Sequence, residues 1–384
     1  MPVIESDHGC RSGLTRRQIS KRIAGFFAAG AALPVFSEFA LAQQAERQFT
    51  GSSRPAVDEY VRINSNENPL GPCHEGLEAM AKIGPYGGRY VPFGDYEKFV
   101  KAVAESEGIG PDHVSSFAGS SDPLFRATCA FTSPARSWVM ADPGYGAGAP
   151  AYIGSKLVRV PLRADHSHDI EAMLAADPKA GAYYICNPNN PSGTTTSHKD
   201  IEILLANKPK DSVVIVDEAY IHFSEKVQSA RDLVLAGKDV LILRTFSKVY
   251  GMAGIRSGFV MARPDLLEKL AQYGDDNLPI TALACATASL QTKHLVTERR
   301  GINRQIREDV FAFLKKKNIQ FIPSETNFFM MEVNRPGVEF AKAMAGQKVL
   351  IGRVWPSWPT KVRVSIGTQQ DMEAFKAAVD KVWG

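Results

Sequence analysis

The sequence predicts an α/β fold: a large domain around a mostly parallel sheet, followed by a smaller α+β domain. Three observations carry this expectation. From about Pro55 the chain alternates short apolar runs with amphipathic segments, the pattern of βαβ units. Most of the runs stop at Gly, Pro, Asn, Asp or Ser, as strands do where a parallel sheet opens onto a ligand site. Past about Leu283 the composition changes to a charged helical stretch with a few strand-like runs, which marks a second core. At 384 residues the chain exceeds one ordinary core, so two domains or one large domain with an appendage is expected.

Taken in order, Val114 to Ala118, Ser137 to Ala141, Leu157 to Pro161, Ala182 to Cys186, Val213 to Val216, Val240 to Leu243 and Gly258 to Ala262 read as buried strands of the large sheet. After them come a charged helix ending near Asn318, a strand at Phe328 to Val333, a helix at Val338 to Gln347, a strand at Val362 to Ile366 and a terminal helix. With 44% apolar and 22% charged residues the chain can bury sizeable cores. Its formal charge of +4 is thinly spread, with no long basic run in the body of the chain, which gives no case for nucleic acid.

Residues 1–42 differ from the rest. Thr15-Arg16-Arg17-Gln18-Ile19-Ser20-Lys21-Arg22 precedes a mildly apolar run from Ile23 to Phe36, and Ala40-Leu41-Ala42 supplies small residues for a signal peptidase. This resembles a twin-arginine export signal, and it predicts a periplasmic or secreted protein with no stable membrane span after cleavage. A basic amphipathic helix or weak anchor is the other reading, since the apolar run falls short of the roughly 20 residues that span a bilayer. Removing the segment leaves 342 residues and lowers the formal charge to +2. Cys73, Cys129, Cys186 and Cys285 then remain, widely separated and without zinc spacing; an even count in an oxidising periplasm would allow disulfides, but the apolar stretches around Cys129 and Cys186 favour reduced, buried core residues.

The chemistry gathers at three strand ends. Asp217 ends the run Val213-Val214-Ile215-Val216, and Thr245-Phe246-Ser247-Lys248 follows the strand at Val240 to Leu243, so Asp217 and Lys248 fall at one edge of the sheet. A loop lysine is ordinarily solvated. Lys248, however, lies between Phe246 and Val249 after a strand too apolar to be an edge, and a desolvated lysine can form a Schiff base with a carbonyl. Gly119-Ser120-Ser121-Asp122-Pro123 joins a strand to a helix, with Pro123 placed for the first helical position. A phosphate could sit there on free N–H groups.

Five stretches agree in order: Asn64-Ser65-Asn66-Glu67-Asn68-Pro69, Tyr90 before Pro92-Phe93-Gly94, Asn187-Pro188-Asn189-Asn190-Pro191-Ser192-Gly193, Asp217-Glu218-Ala219-Tyr220, and Ser247-Lys248 eight residues before Arg256. From roughly Arg62 to the C-terminus they resemble the fold-type I pyridoxal-phosphate aminotransferases, in their histidinol-phosphate aminotransferase branch. The resemblance implies that fold, pyridoxal 5′-phosphate as cofactor, an amino donor and a 2-oxo acid as substrates, and a homodimer. With the signal read at 1–42, the chain then divides into an N-terminal segment at 43–88 packing on the small domain, a large cofactor-binding domain at 89–285 and a small domain at 286–384.

Roles follow by resemblance. Lys248 would hold the cofactor as a Schiff base and then shuttle a proton at Cα as base and acid. Asp217 would keep the pyridine nitrogen protonated; an N-cap carboxylate is its bland alternative. Asn190 and Tyr220, otherwise ordinary turn residues, would donate to the cofactor's phenolic oxygen. Gly119, Ser120, Ser121, Ser247 and Arg256 would hold the phosphate, although Gly119-Ser120-Ser121 stands where related enzymes often have Gly-Ala-Asp. Tyr145 would stack on the ring, or else pack in the core. Arg363 resembles the arginine that grips a substrate carboxylate or phosphate, Arg353 a second anion-binding arginine, and Tyr90 a residue that reaches the partner subunit's site. Trp355 and Trp358 flank this pocket and either belong to the core or shape an unusual substrate site.

Two motifs compete with that reading. Gly144-Tyr145-Gly146-Ala147-Gly148-Ala149 fits a dinucleotide fingerprint, with Asp165 21 residues past Gly144, but Pro150 would sit early in the required helix. Asp165-His166-Ser167-His168-Asp169 has metal-ligand residue types, yet neighbouring side chains rarely converge on one ion, and a solvated loop without metal is expected. The chain thus reads as an exported aminotransferase. Export argues against housekeeping histidine synthesis, whose intermediates are cytoplasmic. A decarboxylase or oxidative enzyme on the same fold, or a non-catalytic ligand-binding protein, are the alternatives.

Overall fold

Runs of Val, Ile, Leu and aromatic residues form the buried strands of the computed structural model, which describes residues 59–383 apart from 92, 147, 148 and 275–277. The twin-arginine stretch and its cleavage site lie outside the described residues. In chain order the strands are β1 (Val61–Ile63), β2 (Val114–Phe117), β3 (Trp138–Asp142), β4 (Leu157–Pro161), β5 (Ala182–Cys186), β6 (Val213–Asp217), β7 (Val240–Thr245), β8 (Gly258–Met261), β9 (Phe321–Ile322), β10 (Phe328–Glu332), β11 (Val349–Ile351) and β12 (Lys361–Ser365). The expected strands are all present, with ends shifted by two residues at most.

β2 to β8 form one seven-stranded sheet in the order β2-β8-β7-β6-β5-β3-β4. It is mostly parallel; only β8 runs against its neighbours β2 and β7. Every residue of β5, β6 and β7 is buried, so these central strands read as continuous apolar runs, interrupted only at their ends by Asp217 and by Arg244-Thr245, instead of alternating ones. β5 and β6 are in register with Cys186 opposite Asp217, and β6 and β7 with Asp217 opposite Leu243. That register brings the three chemically loaded strand ends to one edge.

The C-terminal part has its own core, built from residues such as Phe329, Phe340, Val364 and Phe375, around an antiparallel sheet of order β12-β10-β9. β1 pairs in parallel with β11, Val61 opposite Val349, so the N-terminal segment adds a strand there. The next helix, His74–Ile83, turns to the other core and packs on the helix Ile280–Gln291. Gly76 permits this: a Cβ on it would stand 2.9 Å from Cys285 Sγ.

The structure corrects two expectations. The single charged helix from about Leu283 to near Asn318 is two helices, Ile280–Gln291 and Leu295–Lys316, separated at His294 with φ 65°. The first is largely buried and apolar, the second charged, and they serve different surfaces. His168 is not solvated but 1% exposed, with Nδ1 2.7 Å from Thr196 Oγ1. Burial pushes its pKa down to about 4, so it stays a neutral imidazole. Among the described residues no group of three His, Cys, Asp or Glu could hold a metal, and no helix is long and apolar enough to cross a membrane. None of the four cysteines from Cys73 onward is in a disulfide; Cys129 is half-buried and the others are buried.

Candidate active site

Asp217 closes β6 with its carboxyl 1% exposed. Its Oδ1 accepts from the Ala219 amide at 3.1 Å and its Oδ2 from the Tyr184 hydroxyl at 2.9 Å. Desolvation still dominates and pushes the Asp217 carboxyl up to about 6, against those hydrogen bonds and the nearby Lys248 cation. A buried acid so poorly matched by neutral donors fits a cationic partner such as a protonated ring nitrogen.

Lys248 sits in the turn after β7, 9% exposed, where the chain must fold back sharply toward Gly251. Gly251 has φ 69°, and a Cβ there would overlap the Gly71 carbonyl, so only glycine brings the lysine turn against the N-terminal segment. The Lys248 ammonium nitrogen donates to Asn66 O at 3.2 Å and lies 5.3 Å from the Tyr220 ring centroid. From Asn66 a buried chain of hydrogen bonds continues. Asn66 Nδ2 donates to the Tyr220 hydroxyl at 3.0 Å, and Asn190 Nδ2 reaches the same oxygen at 3.4 Å. Arg363 Nη1 donates to Asn190 Oδ1 at 2.9 Å and Nη2 to Asn64 O at 3.1 Å. Lys248, Tyr220, Asn190 and Arg363, four residues singled out from sequence, are therefore one connected set.

A second set lies at the end of β2. Gly119, φ 85°, precedes the helix Ser121–Phe131, whose N-cap residue Ser120 makes no side-chain capping bond. A Cβ on Gly119 would overlap Arg256 Nη2, so the bare backbone is what lets the guanidinium close over this turn. Arg256 Nη2 donates to Ala118 O at 2.9 Å and Nη1 to Ser247 Oγ at 3.2 Å. Ser121 Oγ lies 3.2 Å from the Tyr145 hydroxyl. A helix start, the three serines Ser120, Ser121 and Ser247 and an arginine make a donor set suited to a phosphate. With the buried Asp217 they fit pyridoxal phosphate at both ends.

Arg353 and Arg363 both lie over the Trp355 ring, at 4.5 and 5.5 Å. Trp355 Nε1 donates to Gly144 O at 3.4 Å, linking these arginines to the loop that carries Tyr145. Trp355 and Trp358 share a small cluster with Ile322 and Met330. Tyr90 is 93% exposed and is not brought to the site by its own chain. The dinucleotide reading fails on geometry: the helix following Gly144-Tyr145-Gly146 is the four-residue Ala149–Tyr152.

Sequence reasoning missed Asn66, Asn64 and Tyr184 as site residues. Asn66 and Asn64 stood in a motif that gave the resemblance but suggested no role. It is the φ of 53° at Asn66, a left-handed conformation asparagine tolerates, that turns its carbonyl to Lys248 and its amide to Tyr220. Nothing in the apolar run of β5 distinguished Tyr184 from a core residue.

The model of the family described as aminotransferase class I and II matches residues 58–379. A histidinol-phosphate aminotransferase of Symbiobacterium thermophilum is 32% identical over 338 residues, covering 84% of this chain and 91% of that protein. The crystal structure of histidinol-phosphate aminotransferase from Sinorhizobium meliloti, in complex with pyridoxal-5′-phosphate, superposes with a TM-score of 0.80 at 22% identity, covering 92% of this chain and 95% of that one. The L-threonine-O-3-phosphate decarboxylase of Porphyromonas gingivalis shares the fold at TM-score 0.71 and 19% identity, covering 83% of this chain and 98% of that one.

Gly119→Ala tests the phosphate cradle. Displacing Arg256 should weaken pyridoxal phosphate binding at least about tenfold, the loss of roughly one charge-assisted contact. Unphosphorylated pyridoxal should bind as before. An equal loss for both compounds would mean that the glycine serves the fold alone.

Proposed function

We propose, because the chain belongs to the class I and II aminotransferase family, that it exchanges an amino group between an amine bearing a carboxylate or phosphate and a 2-oxo acid. The protein is an aminotransferase that uses pyridoxal 5′-phosphate. One observation carries the choice of an anionic donor: the hydrogen-bonded chain that runs from Lys248 through Asn66, Tyr220 and Asn190 ends on the buried guanidinium of Arg363.

When bound, the cofactor supplies an electron sink for negative charge at the donor's Cα. Gly119, Ser120, Ser121, Ser247 and Arg256 would hold its phosphate, Tyr145 a face of its ring, Asp217 its ring nitrogen, and Asn190 and Tyr220 its phenolic oxygen. Lys248 Nζ, oriented by Asn66 O and acting as the neutral amine, would take the proton from the donor's Cα and, once protonated, return one to the acceptor's Cα in the reverse half of the exchange. Arg363 orients the donor. Asn64 O and Asn190 Oδ1 fix the plane of its fork, and a planar guanidinium matches a carboxylate or a phosphate in two-pronged fashion.

Relatives named histidinol-phosphate aminotransferase support a phosphate-bearing donor. Assembly as a homodimer is part of the reading: Tyr90, exposed in its own chain, would enter the partner subunit's site. So is export. Arg16-Arg17 and Ala40-Leu41-Ala42 support it, and the family match begins only at residue 58, after that leader.

Supplied with amino donors and 2-oxoglutarate, the purified protein should yield glutamate; carbon dioxide or peroxide instead would overturn transfer in favour of decarboxylation or oxidation. Arg363→Ala should lower kcat/KM at least about tenfold for anionic donors and much less for neutral amines, with Lys restoring part. An equal loss for both kinds of donor would make Arg363 a fold residue. In cell fractionation, Arg16→Lys with Arg17→Lys should leave active enzyme in the cytoplasm, and a periplasmic double variant would contradict export.

A further inference from the structure

We infer that Tyr184 is a positioning residue for the cofactor: its hydroxyl, through Asp217, holds the carboxylate that must face the ring nitrogen. The inference rests on the reading that Asp217 serves pyridoxal phosphate.

The sheet puts the two groups together. Cys186 is paired with Asp217 across β5 and β6, and Tyr184, two residues earlier on β5, shares the face of Cys186. The length of the tyrosine side chain carries its hydroxyl diagonally to Asp217 Oδ2 at 2.9 Å. Tyr184 is 2% exposed and stacks on Trp138 at 5.8 Å, so the ring cannot swing away without opening the core. The Ala219 amide already holds Oδ1, and the phenol fixes the second oxygen and with it the rotation of the carboxyl group.

Charge control follows from the same contact. Around Asp217 stand Tyr184 and Cys186 from β5, Glu218 beside it in sequence, Lys248 from the turn after β7, and Tyr145 near Tyr184. Burial raises the Asp217 carboxyl, Glu218 adds to that, and the Tyr184 hydrogen bond is the largest influence the other way. Tyr184 itself is raised well above an ordinary phenol by burial and by Asp217, so it remains a donor at any working pH. Removing its hydroxyl raises the Asp217 carboxyl further, so near pH 6 the acid becomes mostly neutral where about half of the wild type is ionised. A neutral acid loses its attraction for a protonated ring nitrogen. Above both values the carboxyl is ionised in either protein and the difference closes.

The test is uptake of pyridoxal phosphate by the full-length protein stripped of cofactor, followed by absorbance at pH 6 and pH 9. Tyr184→Phe keeps the ring and its stacking. It should bind about tenfold more weakly than wild type at pH 6 and within about threefold of it at pH 9, since a hydrogen bond to a charged group shifts a pKa by about one unit or more. Tyr183→Phe, on the opposite face of β5, should match wild type at both. Equal affinities for Tyr184→Phe and wild type at pH 6 would overturn the inference. So would a loss of the same size at both pH values, which would mark Tyr184 as packing alone. A wild-type protein that takes up no pyridoxal phosphate would overturn the reading of the site and this inference with it.

Discussion

Asp217 and Glu218 are consecutive acids at the end of one buried strand, and the chain treats them in opposite ways. Glu218 has a permanent cation: Arg244 Nε donates to it at 2.7 Å, while the Ser229 hydroxyl and the Ala230 amide supply further bonds. Arg244 in turn reaches Glu107 at 3.1 Å, which closes a buried network beneath the site. Asp217 receives a phenol and an amide, with Lys248 near, and its carboxyl is pushed up to about 6. Burying a charge without a full counter-charge is unfavourable. The fold holds one such carboxyl in place beside a neighbouring acid that is already satisfied, and in the proposed function a bound cofactor completes it.

The rest of the architecture serves to keep that strand end shared between two cores. Asn66 joins them: its amide nitrogen donates to Ser365 Oγ at 2.8 Å on β12, and its carbonyl meets Lys248 and Asn327. Arg363, also on β12, reaches across to Asn190 in the loop after β5. Any shift of the C-terminal sheet therefore moves the proposed anion site and the lysine's acceptor together. The Trp355 indole adds a contact from the arginine pair to the Gly144 loop.

Much of this was legible in the sequence. Strand ends carried the message, because a parallel sheet buried on both faces leaves long apolar runs and sudden polar stops, as at Asp217 and around Lys248. What was not legible depended on long-range contact. The break at His294 has no Gly or Pro to announce it. His168 looked solvated because its neighbours are polar, and its burial against Thr196 comes from a segment 28 residues away. Tyr184 looked like core because a strand buried on both faces hides which residue turns a hydroxyl to a neighbouring acid. Asn66 required knowing that 299 residues later Ser365 would lie beside it.

The central claim is that Lys248 is the residue that engages the cofactor, and borohydride reduction of the pyridoxal phosphate-loaded protein tests it most directly. Peptide mapping by mass spectrometry should find a single phosphopyridoxyl group, on the peptide containing Lys248. Lys248→Ala should carry none. A modified lysine elsewhere, with Lys248 untouched, would contradict the account.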